Sequence, residues 1–195
     1  DLDFIKNQIN RLKTLFPNSS LHTIAIKANP LPRMLEYIKG LDVGAEAATL
    51  PEVYLAEKSG YKPKRIVFDS PAKTYDDIEY VLERGFHLNA DSLDELDRIA
   101  KKITKINTNS NIGLRINPQI GTGKIKLTST AGKYSKFGEP LNEKKKLITK
   151  YYQKYNWLNS VHLHIGSQGK TLDQLISEIK KVYNFVNGLN KKLKG

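Results

Sequence analysis

Lys27 has the setting that most narrowly limits what a side chain can do in this chain. It ends the apolar run His22-Thr23-Ile24-Ala25-Ile26 and precedes Ala28-Asn29-Pro30. An ammonium drawn into an apolar strand is costly, so such a lysine either snorkels to water or gives up its proton. A deprotonated lysine is a nucleophile that forms an imine with a carbonyl group, whereas a strand-end lysine facing solvent is the plainer alternative. Two histidines, His162 and His164, stand in Val161-His162-Leu163-His164-Ile165, and in a strand this spacing puts both on one face. Two imidazoles could begin a metal site, but spacing assigns no third ligand, and no metal is expected. Gly166-Ser167 comes next, just ahead of Thr171, and could offer backbone N–H groups and a hydroxyl to a phosphate at a helix start.

Other polar residues close or interrupt apolar runs in the same way. Glu46 follows Val43-Gly44-Ala45, Asp91 follows Asn89-Ala90, and Arg115 lies within Ile112-Gly113-Leu114-Arg115-Ile116. In a parallel α/β fold the carboxyl ends of the strands carry the site, so these residues are drawn to one face of the molecule.

The elements that must position them are legible as an alternation. Six apolar runs, at 22–26, 42–45, 65–68, 86–90, 112–116 and 160–165, read as strands. Most are apolar on both sides, as strands of a covered parallel sheet are. Between them, Thr49-Leu-Pro-Glu52, Ser92-Leu-Asp-Glu95 and Thr171-Leu-Asp-Gln174 have the spacing of capping boxes. Gly40, Gly60 and Gly85 suit the left-handed turn that ends a helix. The helices are accordingly predicted at 2–15, 50–59, 75–84, 93–103, 142–155 and 171–189. Residues 117–139 form the one long connection, and nothing divides residues 1–195 into more than a single domain. No Gly-x-Gly-x-x-Gly follows the first strand, which favours a TIM-type (β/α) barrel over an open dinucleotide-binding sheet. Six βα units leave a barrel of eight unfinished, so the native chain is expected to continue.

Composition narrows the function classes. The 195 residues contain no Cys, which excludes a disulfide framework, a thiolate metal site and a cysteine nucleophile within them. No run approaches a membrane span and the N-terminus lacks the order of a signal peptide, so a cytoplasmic protein is expected. The formal charge of +12 is regional. Residues 1–97 carry 12 basic and 16 acidic side chains, residues 98–195 carry 20 and 4, and the excess is mostly lysine on predicted helices. That pattern reads as a solvated face, with neither nucleic acid nor membrane as a partner.

Six motifs in succession carry a resemblance. Ala-Ile-Lys-Ala-Asn-Pro (25–30), Gly-Ala-Glu-Ala-Ala-Thr-Leu-Pro-Glu (44–52), Asn-Ala-Asp-Ser-Leu-Asp-Glu-Leu (89–96), Leu-Arg-Ile-Asn-Pro (114–118), Ser-Lys-Phe-Gly (135–138) and His-Leu-His-Ile-Gly-Ser-Gln (162–168) occur in that order. Together they resemble the fold-type III pyridoxal-phosphate decarboxylases, the group that contains diaminopimelate and ornithine decarboxylases. The last two blocks look more like the diaminopimelate branch.

The resemblance implies an alanine racemase-like, pyridoxal-phosphate-binding barrel, incomplete here. It implies that Lys27 forms the covalent imine link to pyridoxal 5'-phosphate and that His164 stacks on its ring. Ser167 is implied as a phosphate ligand, Arg115 as lying beneath the cofactor, and Glu46 as standing beside it; His162 is read as packing. The implied activity is decarboxylation of an amino acid, diaminopimelate first, then ornithine, lysine or another basic amino acid of D or L configuration, by a homodimer in its complete form; the alternative is a non-catalytic, pyridoxal-phosphate-binding regulatory homologue. The ring-nitrogen acid and the C-terminal β-domain of relatives are absent, so the 195 residues alone are expected to be inactive.

Overall fold

Short β-branched and apolar runs alternate with capped amphipathic segments, and the chain folds into the α/β repeat that this alternation dictates. The computed structural model describes residues 1–120, 132, 135–166 and 171–193. The strands are β1 Thr23–Ala25, β2 Gly44–Ala47, β3 Ile66–Phe68, β4 His87–Ala90, β5 Ile112–Asn117, β6 Glu139–Pro140 and β7 Leu158–His162. The helices are α1 Leu2–Leu15, α2 Pro32–Gly40, α3 Leu50–Lys58, α4 Tyr75–Arg84, α5 Leu93–Ile103, α6 Leu141–Lys154 and α7 Leu172–Leu193. All strand pairs are parallel, in the order β1-β2-β3-β4-β5, with β7 along β5 and the two-residue β6 added at the end of β5.

Parallel strands covered on both faces are mostly apolar, and all six residues of β5 are buried, Arg115 and Asn117 being its polar members. Helix faces complete the core: Ile78, Val81 and Leu82 of α4 and Leu93, Leu96 and Ile99 of α5 are buried, as are Phe68, Leu88, Ile112 and Leu114 on the strands. Gly113 permits the close seating of β7 on β5. A Cβ there would meet Asn89 Oδ1 at 2.4 Å and Ser160 Cβ at 3.2 Å.

The sheet is curled rather than flat. β4 and β5 lie between β3 and β7, so a flat sheet would set those two strands about 14 Å apart at roughly 4.8 Å per step. Yet His162 Nε2, on β7, is 3.3 Å from Asp69 Oδ2 at the end of β3. The architecture is the expected incomplete α/β barrel.

Several expected local features move. Lys27 is not in a strand: β1 stops at Ala25, and Ile26–Ala28 form a single 3-10 turn. β7 begins at Leu158 and ends at His162, so His164 lies beyond it. Gly40 is the last residue of α2, and the left-handed conformation falls instead on Asp42, with φ 57 and its carboxylate held by Arg65. Two of the three expected capping boxes are half boxes. Glu52 and Glu95 reach one residue further back, to the backbone N–H groups of Ala48 and Asp91, while Thr74 and Asp77 form a complete box.

Candidate functional site

Barrel geometry brings the strand ends together, and the ionisable residues there divide into a buried set and a half-open set. Arg115 is buried on β5 beside His162 of β7 in the sheet register. Its Nη1 donates to Asp91 Oδ1 at 3.0 Å, and its guanidinium lies 4.9 Å from the centre of the Phe137 ring. Asp91 Oδ2 also accepts from Gly138 N at 3.3 Å, pinning the returning long connection onto the site floor. Gly138 has φ +70, and a Cβ there would press on Arg115 Cγ at 3.0 Å.

Beneath Asp91 lies a charge that no sequence motif announced. Lys73, between β3 and α4, is buried and donates to Ser70 O at 2.5 Å and Asn89 O at 2.7 Å. Its ammonium pairs with Glu95 Oε1 at 2.8 Å, and Glu95 Oε2 accepts from Asp91 N at 3.0 Å. Burial pushes the lysine's pKa down, against the opposing pull of Glu95. The sequence signal was present: Glu95 is the one acid on the buried face of α5, and its fit to a capping box concealed its second task.

The half-open set faces it. Lys27 is exposed, so the burial argument that singled it out does not apply; what it has is accessibility. Its charge is felt by both Glu46 and His164. Glu46 is pushed up to about 8, first by burial, then by its hydrogen bond to Asp69 and the charges of Asp69 and Glu52, with Lys27 opposing. His162 is pushed down to about 4 by burial, with Arg115, His164 and Lys73 acting in the same direction and Asp69 against them. It is a buried, neutral imidazole in contact with Asp69. His164 is half-buried, and its pKa is lowered by burial and by Arg115. Gly166, with φ 99, turns the chain just after it. Ser167, the expected phosphate ligand, lies outside the described residues.

Thus Lys27, Glu46, Arg115 and His164 are gathered at one end of the barrel. Asp69, Lys73 and His162 join them there. Asp69 could have been found by the rule that found the others, since it directly follows the third apolar run.

The sequence profile of the pyridoxal-dependent decarboxylase family, pyridoxal binding domain, matches residues 2–193. The chain belongs to this family. Membership makes pyridoxal phosphate the cofactor of the domain. Among relatives, diaminopimelate decarboxylase of Helicobacter pylori is 34% identical over 194 residues, covering 97% of this chain and 47% of the relative. That of Aquifex aeolicus is 29% identical over 193 residues, 97% of this chain and 46% of its own length. A crystal structure of a mutant of the Helicobacter pylori enzyme complexed with L-lysine superposes with TM-score 0.88 at 31% identity, over 98% of this chain and 49% of that one. The chain spans about half the length of the curated relatives it matches. Among the described residues no helix is long and apolar enough to cross a membrane.

Proposed function

We propose that this chain is the cofactor-binding part of an amino-acid decarboxylase, with diaminopimelate as the first-choice substrate and lysine as its product. The supporting observation is the gathering of an accessible amine, Lys27, with a protonated carboxyl, Glu46, and a neutral imidazole, His164, at the carboxyl end of the barrel. The donor set fits pyridoxal phosphate: an aldehyde needs an amine, an aromatic ring a flat partner, and a phosphate hydroxyl and backbone donors. When bound, the cofactor supplies an electron-accepting ring that takes up the electrons left as CO₂ departs.

Each residue then has a task of its own. Lys27 supplies the amine that holds the cofactor's aldehyde carbon and exchanges with the substrate amine. His164, neutral and half-buried, offers its ring face to the pyridine ring. Glu46 keeps its proton at Oε beside the lysine, so that it does not lock the ammonium in an ion pair. Arg115, held by Asp91, forms the cationic floor, and Ser167 is assigned to the phosphate. Residues 1–195 are taken as one domain. The 34% identical relative supports diaminopimelate over other basic amino acids. Exposed apolar residues on α1 and α7, among them Phe4, Leu12, Ile179 and Tyr183, support packing against further protein in a complete, homodimeric, cytoplasmic enzyme.

The test is borohydride reduction in the presence of pyridoxal phosphate, digestion and mass spectrometry, with the pyridoxyl group expected on Lys27. A pyridoxyl group on another lysine overturns the assignment. Release of CO₂ from diaminopimelate, ornithine, lysine and arginine then ranks the substrates.

A further inference from the structure

Asp69 is an ionisable group on this face that the reading above leaves without a task. It directly follows β3, and its backbone N–H donates to Ala47 O at 3.1 Å, so the residue is set just beyond the β2–β3 pairing. Its side chain is only 13% exposed and meets groups from two other strands. Oδ2 lies 3.3 Å from His162 Nε2 of β7, and the carboxylate acts on the neighbouring Glu46 of β2, raising that group's pKa.

We propose that Asp69 is a positioning residue of the pyridoxal phosphate site, tying Glu46 on β2 to His162 on β7 so that each keeps one orientation beside Lys27. The inference rests on the reading of Lys27 as the cofactor lysine, and it adds a residue that reading does not use.

The geometry sets the protons. Two neighbouring carboxyl groups shielded from water do not both ionise cheaply, so one proton is retained by the pair. Burial is the largest cause holding that proton on Glu46, Asp69 is the next, and Glu52 adds to both; Lys27 alone pulls the other way. Glu46 at neutral pH is thus a donor and Asp69 the acceptor. On its other side Asp69 meets a neutral imidazole, which faces Arg115, His164 and Lys73 as well and is kept from protonation by burial and by those three groups. A neutral imidazole has one N–H, and the bond to Asp69 puts it on Nε2. Nδ1 is then a lone-pair acceptor, buried and without a hydrogen-bond partner among the described residues. One carboxylate between two donors fixes the rotamer of one and the tautomer of the other.

Carbon-13 NMR of glutamate labelled at Cδ reads this directly, in the apoprotein and in the protein saturated with pyridoxal phosphate. The Glu46 resonance is identified by its loss in Glu46→Gln and is expected to titrate near pH 8. In Asp69→Asn the like charge is gone, and the inflection should fall by about one pH unit or more. In His162→Phe the donor to Asp69 is lost and the carboxylate's charge bears more strongly on Glu46, so the inflection should rise. Affinity for pyridoxal phosphate should fall about tenfold in Asp69→Asn, with the pH dependence of the bound cofactor's absorbance following the moved inflection. A merely structural Asp69 would weaken binding without moving an inflection. Should Asp69→Asn fail to fold, His162→Phe carries the same test from the other side. A wild-type Glu46 that titrates in the ordinary carboxylate range, or an inflection unmoved in the variants, overturns the proposal. If the inflections move as expected while borohydride fails to trap pyridoxal phosphate on Lys27, the three-group linkage stands and its role at a cofactor site is lost.

Discussion

Two lysines stand at the carboxyl end of this barrel, and they are opposites. Lys27, after β1, is exposed in a single 3-10 turn; Lys73, after β3, is buried and has a carboxylate and two carbonyl oxygens around its ammonium. Burial is often taken as the mark of a reactive lysine, because desolvation favours the neutral amine. Here desolvation falls on Lys73, whose three partners consume its donors and leave nothing to react, while the accessible lysine is the one beside the half-open carboxyl and imidazole groups. Chemistry in this fold needs an amine that a small molecule can reach, and the buried amine serves the framework.

The comparison breaks first at turnover. On the proposed function, in a chain extended to the length of the relatives, Lys27→Ala and Lys27→Arg are each expected to lower the rate of CO₂ release on the order of a thousandfold or more, with the melting temperature nearly unchanged, because arginine keeps the charge but forms no imine. Retained activity in Lys27→Arg would return the role to another lysine. On the same reading the 195 residues alone release no CO₂, and a version extended to the length of the relatives does.

Lys73 should behave in the reverse manner. Lys73→Ala leaves Glu95 buried and unpaired, and about 3–5 kcal/mol of stability is expected to be lost in denaturant unfolding. Replacing both partners, Lys73→Met with Glu95→Leu, should recover much of that loss. If Lys73→Ala unfolded at the wild-type midpoint while activity vanished, the assignment of the two lysines would be the wrong way round.

A third test uses the opposite shifts of Glu46 and His162. Glu46 has a folded pKa of about 8 against 4.5, so between those values the folded protein holds the extra proton and stability falls as pH rises. His162 has a folded pKa of about 4 against 6.5, so between those values the unfolded chain binds the extra proton and stability rises with pH. The two contributions offset each other from pH 4.5 to 6.5, and only the Glu46 decline remains from 6.5 to 8. Melting temperatures should therefore decline across the upper window in the wild type and not in Glu46→Gln. In His162→Gln the decline should extend down to about pH 4.5. A wild-type profile rising from 6.5 to 8 by the Glu46 contribution would contradict the shared proton.

The smallest effects belong to the outer surface. Arg33 and Glu36 form an i,i+3 pair at 2.9 Å, with the arginine 94% exposed. Arg33→Ala should change stability by no more than about 0.5 kcal/mol, and less in high salt, a scale against which the loss at Lys73 is judged.

Much of the fold was legible before any coordinates. Apolar runs such as Ile66-Val67-Phe68 and Ile112 to Ile116 announce covered strands because a buried parallel strand tolerates few polar side chains. The strands they predict are β1 to β5 and β7, whereas β6 is a dipeptide with no periodicity to read. Lys27, Glu46, Arg115 and His164 were legible for a related reason: each interrupts or ends an apolar run, where a polar residue is conspicuous.

Pairings across the barrel were not legible, because they depend on distances between residues far apart in sequence. Asp69 and His162 meet only because the sheet curls enough to bring β3 to β7. Lys73 and Glu95 look like a loop residue and a helix cap until the packing of α5 buries both. The order and type of the elements, the run-ending residues and the family motifs are local properties, determined by the sequence itself through side-chain volume, polarity and spacing. Which lysine is buried and which is accessible, which carboxyl keeps a proton and which histidine nitrogen carries one follow from desolvation and from charges arriving on other strands, and those exist only once the sheet has curled around them.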